Sequence, residues 1–109
     1  MMKGNIQETI RRKLKDKFDL DNIIIFGSAP TDNSNKNSDI DLLVILNQEG
    51  FIKSYSERIK KRVLIYQALI EIVKSMPVDI LVYTKDEWQE LIKSGSSFHN
   101  KILKEGISL

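Results

Sequence analysis

The stretch Ser38-Asp39-Ile40-Asp41-Leu42-Leu43-Val44-Ile45-Leu46 decides how the chain folds. Its apolar run predicts a buried strand, about Ile40–Leu46, although aspartate is depleted in strands. Successive strand side chains alternate between faces, so Asp39 and Asp41 point the same way, about 6–7 Å apart. Two like charges beside an apolar core are unfavourable unless a cation joins them. The pair therefore indicates a site for Mg²⁺ or Mn²⁺, hard ions that prefer carboxylate oxygen.

Taken alone, the aspartate pair leaves a simpler interpretation open, with Asp39 in a turn and Asp41 on a solvated edge. The segment ahead of it favours the metal site. Ile23–Phe26 is predicted to be a short buried strand that stops at Gly27, where glycine allows a sharp turn and the close approach of a phosphate. Ser28 adds a hydroxyl and an N–H group suited to phosphate oxygens. A lone Gly-Ser is more often a plain turn, so the specific signal is its combination with Asp-x-Asp after ten intervening residues.

A third aspartate lies at the start of another apolar run, Pro77-Val78-Asp79-Ile80-Leu81-Val82-Tyr83. This run predicts a third strand over Val78–Tyr83. If the strands are neighbours, Asp79 converges with the two earlier aspartates, and three carboxylates then lie at the mouths of apolar strands.

Helical periodicity predicts the elements around these strands. The first helix has an inward apolar stripe of Ile6, Ile10, Leu14 and Phe18. A long helix runs from near Ser54 to Lys74, and its apolar stripe consists of Ile59, Val63, Tyr66, Ile70 and Val73. A Thr84/Glu87 capping box opens a short helix, and a last helix runs from near Ser97 to its stop at Gly106. The long helix is also apolar at Leu64, Ile65, Leu69 and Ile72. This breadth fits packing on a sheet, or on a sheet and a second protein. Its early basic cluster, Arg58, Lys60, Lys61 and Arg62, could dock a partner, steer a polyphosphate or simply be solvated.

Length and composition exclude several classes of protein. A chain of 109 residues predicts one domain, 1–109, and its net charge of +2 is too small to indicate direct nucleic-acid binding. With no cysteine there is no disulfide framework and no thiolate zinc site. No apolar run approaches the ~20 residues that span a bilayer, so we expect a cytoplasmic protein without membrane contact. Dinucleotide, P-loop and serine-hydrolase glycine motifs are also absent from the sequence.

The combination of Gly27-Ser28, Asp39-x-Asp41 and Asp79 resembles the nucleotidyltransferase superfamily that includes DNA polymerase beta. More narrowly, the chain is similar, from about Ile6 onward, to the minimal nucleotidyltransferases, which are typically encoded beside a helical HEPN-domain partner as toxin–antitoxin pairs. The resemblance implies an α/β (α+β) fold, a small mixed sheet with helices. It also implies two Mg²⁺ ions and a nucleoside triphosphate.

The same resemblance implies roles for the site residues. Asp39, Asp41 and Asp79 would be the catalytic metal ligands, and Gly27 and Ser28 would cradle the β- and γ-phosphates of ATP. The expected reaction moves AMP to a hydroxyl on the HEPN-type partner. Two alternatives stay open: an antitoxin that masks a HEPN ribonuclease by docking alone, and a small-molecule (antibiotic-type) nucleotidyltransferase.

The loop after the Gly-Ser differs from the pattern of many superfamily members. Those members carry an arginine and a second glycine there, whereas this chain has Ala29-Pro30-Thr31-Asp32. Lys36 is the only cation between Ala29 and Ser38. It could replace the arginine as a phosphate contact or be a free surface lysine.

Overall fold

The computed structural model describes residues 5–26 and 40–109 and arranges them as a mixed sheet with helices on both faces. The elements in chain order are α1 (Asn5–Lys15), β1 (Leu20–Phe26), β2 (Ile40–Leu46), α2 (Tyr55–Ala68), α3 (Ile70–Val73), β3 (Val78–Thr84), α4 (Lys85–Lys93), α5 (Ser97–Glu105) and β4 (Ile107–Ser108). The three long strands coincide with the predicted ones to within three residues at either end. The predicted fold class is confirmed.

The order of the four strands in the sheet is β3-β2-β1-β4. β1 runs antiparallel to β2 and to β4, whereas β2 and β3 are parallel. Parallel neighbours need a crossover connection, which α2 and α3 supply. The end of β1 and the starts of β2 and β3 therefore lie next to one another, at one end of the strands.

Strand β2 lies in the middle of two hydrophobic cores. Leu42 and Val44 belong to one core, on the sheet face that α1, α2 and α3 cover. Leu43 and Ile45 belong to the other, on the face that α4 and α5 cover. Because both faces of β2 are buried, its sequence is a continuous apolar run instead of an alternating one.

The prediction of one continuous helix over Ser54–Lys74 is wrong, because this segment forms two helices, α2 and α3. Leu69 separates the two helices, with φ −107° and ψ 22°, and its N–H donates to the carbonyls of both Ile65 and Tyr66. The buried side chains of this region are Ile65, Leu69 and Ile72. Three members of the predicted stripe are exposed instead: Ile59, Val63 and Ile70. The apolar set is wider than the sheet can cover, and periodicity did not identify the covered side.

The ends of the last two helices agree with their sequence signals, with one difference in mechanism. The capping box of α4 is confirmed, because the Thr84 hydroxyl accepts from the Glu87 N–H while the Glu87 side chain accepts from the Thr84 N–H. Gly106 ends α5 as predicted, but its φ of −76° is available to any residue. Glycine is needed there because a Cβ would overlap Ile24 Cγ2. This close approach lets β4, which the sequence did not predict, pair with β1.

Within the described residues, no helix is both long and apolar enough to cross a bilayer.

Candidate active site

Asp41 and Asp79 are direct neighbours across two parallel strands. The β2–β3 ladder pairs Ile40 with Val78 and Asp41 with Asp79 in register. Side chains in register on parallel strands project from the same face of the sheet, and adjacent strands lie about 4.8 Å apart. The two carboxylates therefore lie close together at the starts of β2 and β3. The sequence predicted this proximity for neighbouring strands.

The end of β1 lies beside the start of β2, next to the two aspartates. Phe26, the last residue of β1, is the antiparallel partner of Asp41. Gly27 and Ser28 follow Phe26 in the sequence, and Asp39 precedes Ile40. The described residues next to these positions, Phe26 and Ile40, thus lie at the same end of the sheet as Asp41 and Asp79.

Four of the six predicted site residues lie outside the described residues: Gly27, Ser28, Lys36 and Asp39. Their roles stay predictions. Within residues 5–26 and 40–109, no group of three or more His, Cys, Asp or Glu side chains is placed to hold a metal ion. The two described aspartates supply hard carboxylate oxygens, the donor type that Mg²⁺ and Mn²⁺ prefer, so they fit part of such a site. The predicted set needs Asp39 as its third member.

Side chains of α2 bond to the outer edge of β3. The Tyr66 hydroxyl donates to the carbonyl of Val78, the residue that precedes Asp79, at 2.9 Å. Arg58 Nη1 donates to the Val82 carbonyl at 2.7 Å. An edge strand presents unpaired carbonyls, and these two bonds satisfy a pair of them. Tyr66 thereby anchors the backbone that carries Asp79, a role that the sequence analysis missed because it counted Tyr66 only as an apolar stripe residue.

A partly buried ion pair at the far end of β3 involves Arg58, one of the four residues of the predicted basic cluster. Arg58 makes a two-pronged contact with Glu87, at 3.0 Å to Oε1 and 2.8 Å to Oε2. The Glu87 carboxylate also accepts from the N–H groups of Thr84 and Ile52, both at 2.9 Å. Arg58 therefore has a structural partner in this fold.

These contacts shift the pKa values of both members of the pair. Burial raises the pKa of the Glu87 carboxyl, but the Arg58 guanidinium and the two backbone N–H groups outweigh it, so the net shift is downward. The hydrogen bond to Glu87 raises the pKa of Arg58. Both groups are held in their charged forms, and the pair ties α2 to the start of α4.

An aromatic cluster lies over the face of the sheet that carries Asp41. His99 is half-buried, with its Nδ1 2.6 Å from the Ser96 hydroxyl and its Nε2 3.4 Å from the Tyr83 hydroxyl. Its ring packs against those of Trp88 and Phe98, with centroids 5.6 and 5.2 Å away. Burial lowers the pKa of His99, which favours the neutral imidazole. His99 is therefore a packed member of this cluster.

A surface pocket of about 280 Å³ lies at the opposite end of β2 from Asp41. Its walls include Phe18, Leu46, Lys61 and Leu64. Leu46 is the last residue of β2, so the pocket does not belong to the candidate active site.

Comparison with known proteins identifies the family of this chain. A family model described as a nucleotidyltransferase domain matches residues 7–107. The match spans nearly the whole chain, and the chain belongs to this family. Members generally use a nucleoside triphosphate and divalent metal ions. Neither the search of curated proteins nor the search of solved structures found a match.

Proposed function

We propose that this nucleotidyltransferase transfers AMP from ATP to a hydroxyl group on a partner protein, with Mg²⁺ as the metal. The observation that carries the proposal is the in-register pairing of Asp41 and Asp79 beside the end of β1. Family membership supports nucleotide transfer in general. The nucleotide, the acceptor and the partner are our inference.

Each site residue has a role in the proposed reaction. The acceptor oxygen attacks the α-phosphorus, a new P–O bond forms, the bond to the bridging oxygen breaks, and pyrophosphate leaves. Asp39, Asp41 and Asp79 would hold two Mg²⁺ ions, which when bound supply neutralisation of phosphate charge. Asp79 accepts the proton of the attacking hydroxyl. Positioning and charge stabilisation provide most of the rate in phosphoryl-group transfers of this kind.

We propose that the acceptor is supplied by another protein. Its helices pack on the two faces of the sheet, and attack requires the acceptor oxygen within about 3–3.5 Å of the phosphorus. A partner that brings its own hydroxyl meets this requirement most simply. We propose a helical HEPN-type protein, with this chain as the antitoxin of the pair.

The exposed apolar face of α2 and α3 is the proposed docking surface. It consists of Tyr55, which is 78% exposed, and the exposed side chains of Ile59, Val63 and Ile70. These residues recur at helical spacing beside the stripe that α2 buries, and an amphipathic partner helix could lie along them. Lys60 and Arg62 flank the face and favour an acidic rim on the partner.

Intact-mass measurement of the partner tests the proposal. With ATP and Mg²⁺, the wild-type chain should add one adenylate group to a tyrosine, serine or threonine of the HEPN-type protein. The double variant Asp41→Asn/Asp79→Asn should still co-purify with the partner but leave its mass unchanged. The matched control Asp21→Asn changes an exposed aspartate at the other end of β1 and should transfer AMP normally.

A second candidate function is masking of the partner by docking alone, which the exposed apolar face of α2 also favours. It predicts tight co-purification, inhibition of the partner and no mass increase with any nucleoside triphosphate. Ile59→Asp with Val63→Asp on the docking surface should prevent co-purification under both functions. The adduct alone distinguishes them.

A further inference from the structure

An exposed aromatic ring lies near the strand ends that carry Asp41 and Asp79. Phe98, in the first turn of α5, is 52% exposed. Its ring meets that of Phe26 edge to face, with centroids 6.5 Å apart. Phe26 is the antiparallel partner of Asp41, and such partners have Cβ atoms about 4.5–5.5 Å apart on one face. Phe26 is therefore the neighbour of Asp41 across the strands, and its ring contacts the exposed ring of Phe98.

Packing holds the Phe98 ring in place. The His99 ring lies 5.2 Å away at an interplanar angle of 81°, and His99 in turn packs on buried Trp88. The Ser96 hydroxyl caps α5 by accepting from the His99 N–H. A ring fixed by its neighbours loses little conformational freedom when a ligand covers it.

We infer that Phe98 is a stacking platform for the nucleobase of the nucleoside triphosphate. The inference rests on the proposed function, because it requires the triphosphate to be bound at the strand ends that carry Asp41 and Asp79. In a nucleotide the ribose separates the base from the α-phosphate, so a ring that stacks on the base need not touch Asp41 itself. Base–aromatic stacking accepts every base, since each has a π-face. The platform therefore contributes affinity for nucleotides over bare polyphosphates without selecting adenine.

The experiment compares ATP with inorganic tripolyphosphate, which lacks the base. Calorimetry with Mg²⁺ present would be run on the wild type, Phe98→Ala and Leu103→Ala. Leu103 is a matched control because it is 51% exposed on the same helix. Phe98→Ala should weaken ATP binding about tenfold and leave tripolyphosphate binding unchanged, whereas Leu103→Ala should change neither.

Two further measurements keep the inference testable if Phe98→Ala does not fold. Phe98→Trp should bind ATP at least as tightly as the wild type, and ATP should quench the added tryptophan fluorescence while tripolyphosphate should not. Absence of quenching at saturating ATP would overturn the inference. Equal losses of ATP and tripolyphosphate binding in Phe98→Ala would also overturn it.

The outcomes separate this inference from the proposed function. If the wild type binds neither ligand in Mg²⁺, the proposed function fails and the platform fails with it. If the wild type binds both ligands equally tightly, the platform alone fails.

Discussion

Replacing Asp79 with asparagine should stabilise the metal-free protein and destabilise it, relative to wild type, when Mg²⁺ is present. Asp41 and Asp79 are in register on strands about 4.8 Å apart, so their carboxylates approach to about 5 Å. Repulsion at that distance is about 0.8 kcal/mol in water and about 3 kcal/mol at an effective dielectric constant of about 20. Because Asp79 is exposed and Asp41 half-buried, we expect about 1 kcal/mol. Its removal should raise the metal-free Tm by about 4–8 °C.

Mg²⁺ should reverse this order of stability. An ion that binds only the folded wild type stabilises it by about 2.7 kcal/mol at one hundred times its Kd. Asp79→Asn removes a ligand charge, so the variant gains less from the same ion concentration. Thermal unfolding followed by circular dichroism, first with a chelator and then across a Mg²⁺ titration, should show the two Tm curves crossing.

The control for this experiment is Asp21→Asn, the same substitution at an exposed strand position away from the site. Its Tm should respond to Mg²⁺ as the wild type does. A loss of more than about 1 kcal/mol in metal-free Asp79→Asn would mean that Asp79 has a structural role. A wild-type Tm unaffected by Mg²⁺ would contradict the metal site itself.

Three other substitutions test contacts that support the site. Glu87→Gln should lower the free energy of unfolding by about 1–3 kcal/mol near neutral pH, because it leaves the partly buried Arg58 guanidinium without its charged partner. Since the fold lowers the pKa of Glu87, the difference in free energy of unfolding from wild type, measured in urea titrations, should narrow as the pH falls through that pKa, and a pH-independent difference would contradict the ion pair. Tyr66→Phe should reduce kcat of the proposed reaction several-fold with little change in Tm, because it frees the Val78 carbonyl next to Asp79 in the candidate site. An unchanged kcat would leave Tyr66 with a packing role only. Gly106→Ala should cost about 1–3 kcal/mol of stability in thermal unfolding, because the added Cβ overlaps β1, and a neutral result would mean that β4 can move away.

The long strands could be predicted from sequence because their signals are local. The apolar run Ile40–Leu46 is too short and too rich in branched residues for a surface helix, and β2 spans those same residues. Aspartates at the starts of two such runs are conspicuous because strands rarely contain them. The Thr84/Glu87 capping box was equally predictable, since both of its hydrogen bonds form within a single helical turn.

Other features depend on contacts between distant parts of the chain and needed the tertiary structure. Periodicity shows that α2 is apolar on several sides, but only packing against the sheet selects Ile65 over Ile59 for burial. Arg58 reads as one more surface cation until the fold brings Glu87 to it. The short strand β4 has no sequence signal of its own, because its pairing with β1 depends on the close approach at Gly106.

The candidate site divides in the same way. The sequence by itself determined that Asp41 and Asp79 lie at the entrances of apolar strands, because alternation and hydrophobicity are properties of each segment alone. Only the tertiary structure decided that β2 and β3 are adjacent, parallel and in register, which puts the two aspartates side by side. It also set Phe26 opposite Asp41 and packed Phe98 against Phe26. Register is decided by which faces two strands bury against their shared cores, so no single segment contains it.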